Sequence, residues 1–154
     1  DEPFSGLDPL NANLIKDEIF GLAQRGSTVI FSTHRMEQVE EICDHIVLVN
    51  LGKKVLDGSV AEIKQKFKEN QFKIRLQDKP ANTNSDAFSV LQDHSNELVV
   101  KIHEGFRSND VLMHFLQQGT TIESFHEILP SLNEIFIRIV EGSSALTRSF
   151  QKVD

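Results

Sequence analysis

The sequence has no tryptophan or tyrosine, and it has one cysteine and only four prolines among its 154 residues. The single cysteine, Cys43, excludes an intramolecular disulfide framework and is typical of a reducing compartment. Eleven phenylalanines without tyrosine or tryptophan indicate a packed interior rather than a platform on which nucleic-acid bases stack. No run approaches the roughly 20 apolar residues that a membrane-spanning helix needs.

Basic residues are also scarce, since 16 Lys and Arg face 23 Asp and Glu and leave a formal net charge of −7. This balance, with no block of Lys or Arg, argues against nucleic-acid binding as the main task. The length suffices to bury the core of one ordinary domain or of two small ones. The chain starts with Asp1-Glu2-Pro3 and no methionine, which predicts a processed product or a piece of a longer protein.

The first half of the chain alternates between helix and strand signals. Asp8 followed by Pro9 predicts a helix start, and Gly26 predicts its end. The β-branched run over residues 28–32 predicts a parallel strand that is covered on both faces. The next predicted elements are a helix over residues 36–43, a hairpin whose strands are 45–50, also buried, and 54–56, and a helix opened by the capping-box spacing of Ser59 and Glu62. The pattern predicts an α/β sheet, mostly parallel, with a hairpin at one end.

The second half changes to strands in which apolar and polar residues alternate. The predicted strands are 72–76, 88–90, 98–102 and 121–128, and the predicted helices are 111–116 and 131–140, the latter stopped at Gly142. Residues 79–86 are a loop by composition. We therefore predict a first domain over 1–68, a small α+β domain over 69–142 and a frayed tail over 143–154.

Three short segments could carry chemistry. Asp1 and Glu2 are adjacent carboxylates, of which one can hold Mg²⁺ through water while the other orients an attacking water. A tight turn that glycine permits follows, made of Ser5, Gly6, Leu7 and Asp8. His34 comes directly after the predicted strand 28–32, at the strand end where α/β sheets bind ligands. Each signal alone is also compatible with an ordinary surface charge, a helix cap or a structural histidine.

Other chemistries find no support in the pattern. The remaining histidines lack the i, i+4 or Cys/His spacing of a zinc site, and Cys43 lies on an apolar helix face. No G-x-S-x-G element and no glycine-rich phosphate loop occurs in these residues.

Taken together, the segments 1–9, 28–34 and 43–58 resemble, in order and spacing, the ATP-binding subunit of ABC transporters. In that family they correspond to the end of Walker B with the catalytic glutamate, the D-loop, the switch histidine and the pattern that follows it. The resemblance implies the C-terminal remnant of a P-loop ATPase sheet of the RecA-like kind. Residues 65–142, with the run 130–136, look like the C-terminal appendage of the drug- and antibiotic-export subgroup.

The resemblance implies specific roles. Asp1 would hold Mg²⁺ through water, Glu2 would polarise the attacking water and His34 would contact the γ-phosphate. Ser5, Gly6, Leu7 and Asp8 would cross the interface to a second ATPase subunit. ATP and Mg²⁺ are the implied cofactors of the full-length parent, and a membrane-spanning permease is its implied partner, on the cytoplasmic face of the cell membrane. Nucleic acid is not an implied partner.

The family's Walker A loop, glutamine loop and signature motif would precede Asp1. Walker A supplies most of the grip on phosphate, so we predict that this chain alone neither holds ATP or Mg²⁺ nor hydrolyses ATP. We also predict a dimer, a swapped arrangement or partial disorder in residues 1–30, because apolar faces would be left uncovered. Two alternatives stay open: a regulatory or docking module that acts through the C-terminal domain, and a DNA-repair ATPase, which would need coiled-coil heptads or a basic surface.

Overall fold

The computed structural model describes residues 1–150, with side chains described up to residue 141. The elements in chain order are α1 (Pro9–Gln24), α2 (Met36–Ile42), β1 (His45–Asn50), β2 (Lys53–Ser59), α3 (Val60–Lys66), β3 (Gln71–Leu76), β4 (Phe88–His94), β5 (Glu97–Ile102), α4 (Ser108–Gln117), β6 (Ile122–Ile128) and α5 (Leu132–Phe150). The chain divides into two compact units, and the second comprises Gln65–Pro130. The first unit holds residues 1–64 together with the described residues from 131 to 150.

The first unit is built from helices and one hairpin. Asp8 caps α1 by accepting hydrogen bonds from the backbone N–H groups of Leu10 and Asn11, at 3.0 and 3.1 Å, which confirms the predicted helix start. β1 and β2 pair antiparallel through a tight turn in which Leu51 and Gly52 both have positive φ angles, of 48° and 71°. Such a two-residue turn matches the twist of a hairpin.

The second unit is a four-stranded antiparallel sheet in the order β4-β5-β3-β6, with α4 against one face. Its strands alternate as predicted: Ile74 and Leu76 are buried, whereas Lys73 and Arg75 point to the other face and pair with Glu97. The buried cluster comprises Ile74, Leu76, Ala87, Phe88, Leu98, Val100, Ile102, Val111 and Phe115. This small α+β arrangement agrees with the predicted class.

The parallel strand predicted over residues 28–32 is wrong. These residues are irregular, and the side chain of Ile30 is 90% exposed. A strand buried on both faces needs neighbouring strands and covering helices, and within the described residues the only backbone–backbone hydrogen bond of this segment runs from Glu2 N–H to Ser32 C=O. Both sheets in the described part of the chain are antiparallel. The predicted burial of β1 is wrong as well, because it alternates between exposed and half-buried residues.

Helix α5 differs from the prediction in length. It begins at the predicted capping box, in which Ser131 N–H donates to Glu134 at 2.7 Å. It then passes the predicted stop at Gly142 and reaches Phe150, because an isolated glycine weakens a helix without ending it. The last four residues of the predicted tail lie outside the described residues. The domain limits of 1–68 and 69–142 stay a prediction, and the spatial grouping differs from them in placing α5 with the first unit.

Candidate functional site

Glu2 and His34 meet in the first unit. The imidazole Nδ1 of His34 lies 2.6 Å from Glu2 Oε1, and the His34 backbone N–H donates to the same oxygen at 2.9 Å. The Thr33 hydroxyl donates to Glu2 Oε2 at 2.9 Å. The structure therefore brings together two residues that the sequence singled out separately.

The tautomer of His34 follows from this contact. An ionised carboxylate only accepts hydrogen bonds, so Nδ1 carries the proton toward Glu2. The His34 side chain is 82% exposed, whereas that of Glu2 is 27% exposed. His34 can donate through Nε2 to a ligand at the same time only as the doubly protonated imidazolium.

Asp1 is held beside the same segment. The Ser32 hydroxyl donates to Asp1 Oδ1, and the Glu2 backbone N–H donates to the Ser32 carbonyl at 2.8 Å. Sequence reasoning did not single out Ser32 and Thr33, although the pair of hydroxyl residues directly before His34 is the signal that could have done so. Residues 32–34 thus bind both carboxylates of the Asp1-Glu2 pair.

The backbone of Glu2 is in an unusual conformation, with φ at 46°. A left-handed conformation of a residue other than glycine costs on the order of 1–3 kcal/mol and persists only where surrounding contacts impose it. Here those contacts are the bond to Ser32, the bond from Ser5 N–H to Glu2 C=O at 3.0 Å and the three bonds to the carboxylate. The strain is placed on the residue for which catalysis is predicted.

The pKa of Glu2 is lowered from its ordinary value. The largest cause is the hydrogen bond from the His34 backbone N–H, followed by that from the His34 imidazole, while desolvation opposes them. Glu2 is therefore ionised at neutral pH. Such a carboxylate orients a water molecule well but is a weak proton acceptor, because general bases work best with a pKa near the working pH.

The turn after this pair is anchored at one end and exposed in the middle. The Phe4 ring is buried and packs edge-on against Phe31, with ring centroids 6.0 Å apart. Ser5, Gly6 and Leu7 are exposed, and Gly6 has a φ of 73° that side chains rarely adopt. Both carboxylate oxygens of Asp8 accept hydrogen bonds at the start of α1: Oδ1 accepts the Leu10 backbone N–H at 3.0 Å, and Oδ2 accepts Asn11 Nδ2 at 2.5 Å.

The residues present fit a magnesium ion that is bound with a nucleotide. Among the described residues, no group of three or more His, Cys, Asp or Glu side chains could hold a metal. Mg²⁺ commonly keeps several waters and takes one or two carboxylates plus substrate phosphates, so it does not need such a cage. Asp1, exposed and oriented by Ser32, matches the single water-mediated carboxylate of that arrangement.

Comparison with known proteins gives relatives along most of the chain. An uncharacterized ABC transporter ATP-binding protein of Alkalihalophilus pseudofirmus is 34% identical over 141 residues, covering 91% of this chain and 52% of the relative. The ABC transporter ATP-binding protein YhaQ of Bacillus subtilis is 34% identical over 148 residues, covering 91% of this chain and 47% of the relative. The daunorubicin/doxorubicin resistance ATP-binding protein DrrA of Streptomyces peucetius is 32% identical over 103 residues, covering 67% of this chain and 30% of the relative.

These relatives define the class as ABC transporter ATP-binding proteins. A family model described as "ATP-binding protein DrrA1-3-like, C-terminal domain" matches residues 58–140, which is more than half of the chain, and the chain belongs to that family. The resemblance stated from the motifs is thereby confirmed. The chain spans about half the length of the curated relatives it matches. No helix in the described part is both long and apolar enough to cross a membrane.

Proposed function

We propose that the chain forms part of the ATP-hydrolysing subunit of an ABC exporter and contributes Asp1, Glu2 and His34 to its catalytic site. The observation that supports this most directly is the contact of Glu2 with His34, at 2.6 Å, in a chain that belongs to this family. Both residues lie outside the helices and strands, so side-chain hydrogen bonds rather than secondary structure hold them in contact.

Each residue has a role that its surroundings favour. Glu2 accepts one hydrogen bond at Oε2 and two at Oε1, which leaves Oε2 able to accept a further one from an attacking water. Asp1 binds a water of the magnesium shell, and magnesium supplies neutralisation of phosphate charge. As the doubly protonated imidazolium, His34 donates from Nε2 to the γ-phosphate and from Nδ1 to Glu2. Positioning and charge neutralisation are the main means by which phosphoryl transfer is catalysed.

The wider assembly follows from the same proposal. The exposed turn Ser5–Asp8 contacts a second ATPase subunit, and a membrane-spanning permease is the partner that carries the substrate. The subunit then works on the cytoplasmic face of the cell membrane. The Streptomyces relative is named as a daunorubicin/doxorubicin resistance protein, which favours export of a drug-like compound.

The test uses the whole protein that contains this chain. Glu2→Gln keeps the size and one acceptor oxygen but removes the charge, so ATP hydrolysis should fall about 10²–10⁴-fold while ATP binding persists. His34→Ala should lower hydrolysis in the same direction. Glu97→Gln, in the sheet of the second unit, is the matched control and should keep wild-type hydrolysis.

Full hydrolysis by the Glu2→Gln protein would refute the role of Glu2. The 154-residue chain alone should neither bind ATP tightly nor release phosphate from it. Phosphate release by the chain alone, abolished by Glu2→Gln, would contradict that part of the proposal.

A further inference from the structure

Glu40, in α2, links three elements of the first unit through one carboxylate. Its Oε1 accepts the backbone N–H of Leu132 at 2.5 Å, and its Oε2 accepts the Lys64 ammonium at 2.5 Å. The side chains of Glu40 and Lys64 are only 21% and 22% exposed, so solvent screens this pair less than a surface pair. Leu132 is the first residue of α5, where a carboxylate also satisfies an unpaired N–H and favours the helix dipole.

These two partners mark the places where the chain leaves the first unit and returns to it. Lys64 is the last residue before the second unit begins, and Leu132 lies two residues after that unit ends. Both crossing points are therefore fixed to a single side chain of α2. The packing around them is apolar, since Ile63, Leu132 and Ile135 are each at most 4% exposed.

The other end of α2 is attached to the candidate catalytic site. Thr33, whose hydroxyl donates to Glu2, accepts the backbone N–H of Arg35 at 3.2 Å, and α2 begins at the next residue, Met36. Glu40 lies four residues further on, about 6 Å along the helix axis. The helix therefore connects the segment that holds Glu2 and His34 to the partners of Glu40, which lie about one turn later.

We propose that Glu40 is a positioning residue that couples the Glu2–His34 contact to the attachment of the second unit. The proposal rests on the proposed function for the meaning of that contact, but the coupling itself is a property of the chain without nucleotide. A change in the Glu2–His34 contact displaces the start of α2, and Glu40 transmits the displacement to Lys64 and to the first turn of α5.

Hydrogen exchange of the Leu132 amide in the 154-residue chain tests the coupling, because Glu40 is its hydrogen-bond acceptor. Glu40→Ala should accelerate this exchange about tenfold or more, since a hydrogen bond to a charged group is lost. Glu40→Gln, which keeps an acceptor oxygen, should accelerate it less and serves if the alanine variant does not fold. Glu41→Gln is the matched control, because Glu41 lies on the same helix as Glu40 but pairs with Lys16 of α1, at 2.5 Å, while the Leu132 amide bonds to Glu40.

The double variant separates coupling from simple capping. His34→Ala should accelerate Leu132 exchange about threefold when Glu40 is present and should add nothing in the Glu40-substituted chain. If His34→Ala leaves Leu132 exchange unchanged, or accelerates it equally in both backgrounds, the proposal is overturned, and so it is if Glu40→Ala has no effect. ATP hydrolysis by the whole protein is measured separately, so a failure of the proposed function is distinguishable from a failure of the coupling.

Discussion

The two units bury their apolar residues to very different extents. Nine residues form the closed cluster of the second unit, whereas the buried apolar residues of the first unit are Phe4, Ile63, Leu132 and Ile135 within the described part of the chain. Of the sixteen large apolar side chains found exposed there, twelve lie in the first unit, and α1 buries none of its residues. The second unit therefore has the features of a domain that is stable alone, and the first has surfaces that need a partner.

Matched leucine substitutions give the largest expected difference between the units. Leu98 in β5 and Leu132 in α5 are 0% and 3% exposed. Leu98→Ala removes a side chain from the nine-residue cluster and should cost about 4–5 kcal/mol of unfolding free energy, whereas Leu132→Ala, in a unit with few other buried apolar residues, should cost about 2–3 kcal/mol. Far-UV circular dichroism during denaturant unfolding measures both, because the chain lacks tryptophan and tyrosine as fluorescent probes.

Leu116→Ala is the control for this pair, because Leu116 is 54% exposed on α4. It should cost less than about 1 kcal/mol. Equal losses for Leu98 and Leu132 would show that the first unit is packed as tightly as the second, and the contrast between them would disappear.

Sequence patterns predicted the second unit better than the first, for a physical reason. Alternation of apolar and polar residues in a strand is a local signal, and a unit that closes its own core leaves it undisturbed. Whether residues 28–32 form a buried strand depends on neighbouring strands, so the same sequence pattern can be buried in one protein and exposed in another. The role of Glu40 could not be predicted for the same reason. Its sequence position is typical of a surface charge on a helix, and its two partners lie 24 and 92 residues away in the chain.

The candidate site was predicted from the order of motifs rather than from periodicity. That order led to Glu2 and His34, and the structure brings them into contact. The hydroxyls of Ser32 and Thr33, which bind Asp1 and Glu2, were not predicted as part of the site, because serine and threonine at the end of an extended run are common in any protein.

Self-association gives the second-largest expected effect. Leu10 and Leu14 on α1 are 72% and 57% exposed, and they lie one turn apart on one side of the helix. We expect the chain to associate with rising concentration, and Leu10→Lys with Leu14→Lys to weaken association at least about tenfold by sedimentation equilibrium. Leu91→Lys, on β4 of the second unit, is the control and should leave the dissociation constant unchanged. A monomeric wild-type chain would remove the argument that the first unit needs a partner.

Acid titration gives the smallest expected effect and compares one carboxylate from each unit. The pKa of Glu2 is lowered chiefly by the His34 backbone N–H, and that of Glu97 is lowered chiefly by Lys73 and then Arg75. A carboxylate with a lowered folded-state pKa stabilises the fold above its ordinary value of 4.5, and this contribution is lost as the pH falls through the folded-state pKa. As the pH falls below 4.5, the protection of amides, taken relative to their intrinsic exchange rates at each pH, should therefore decrease at His34 in one unit and around Glu97 in the other.

The loss of protection at His34 should disappear with Glu2→Gln and persist with Glu97→Gln, and the loss around Glu97 should do the reverse. Because both carboxylates contact solvent, screening keeps each loss of protection below about tenfold. The loss of protection should be larger at His34, because the His34 amide bonds directly to the titrating carboxylate. The sheet around Glu97 keeps its backbone hydrogen bonds after Glu97 is protonated. An unchanged His34 amide across this range would mean that Glu2 does not hold residues 32–34 in solution, and the first unit would then lack an ordered candidate site as well as a closed core.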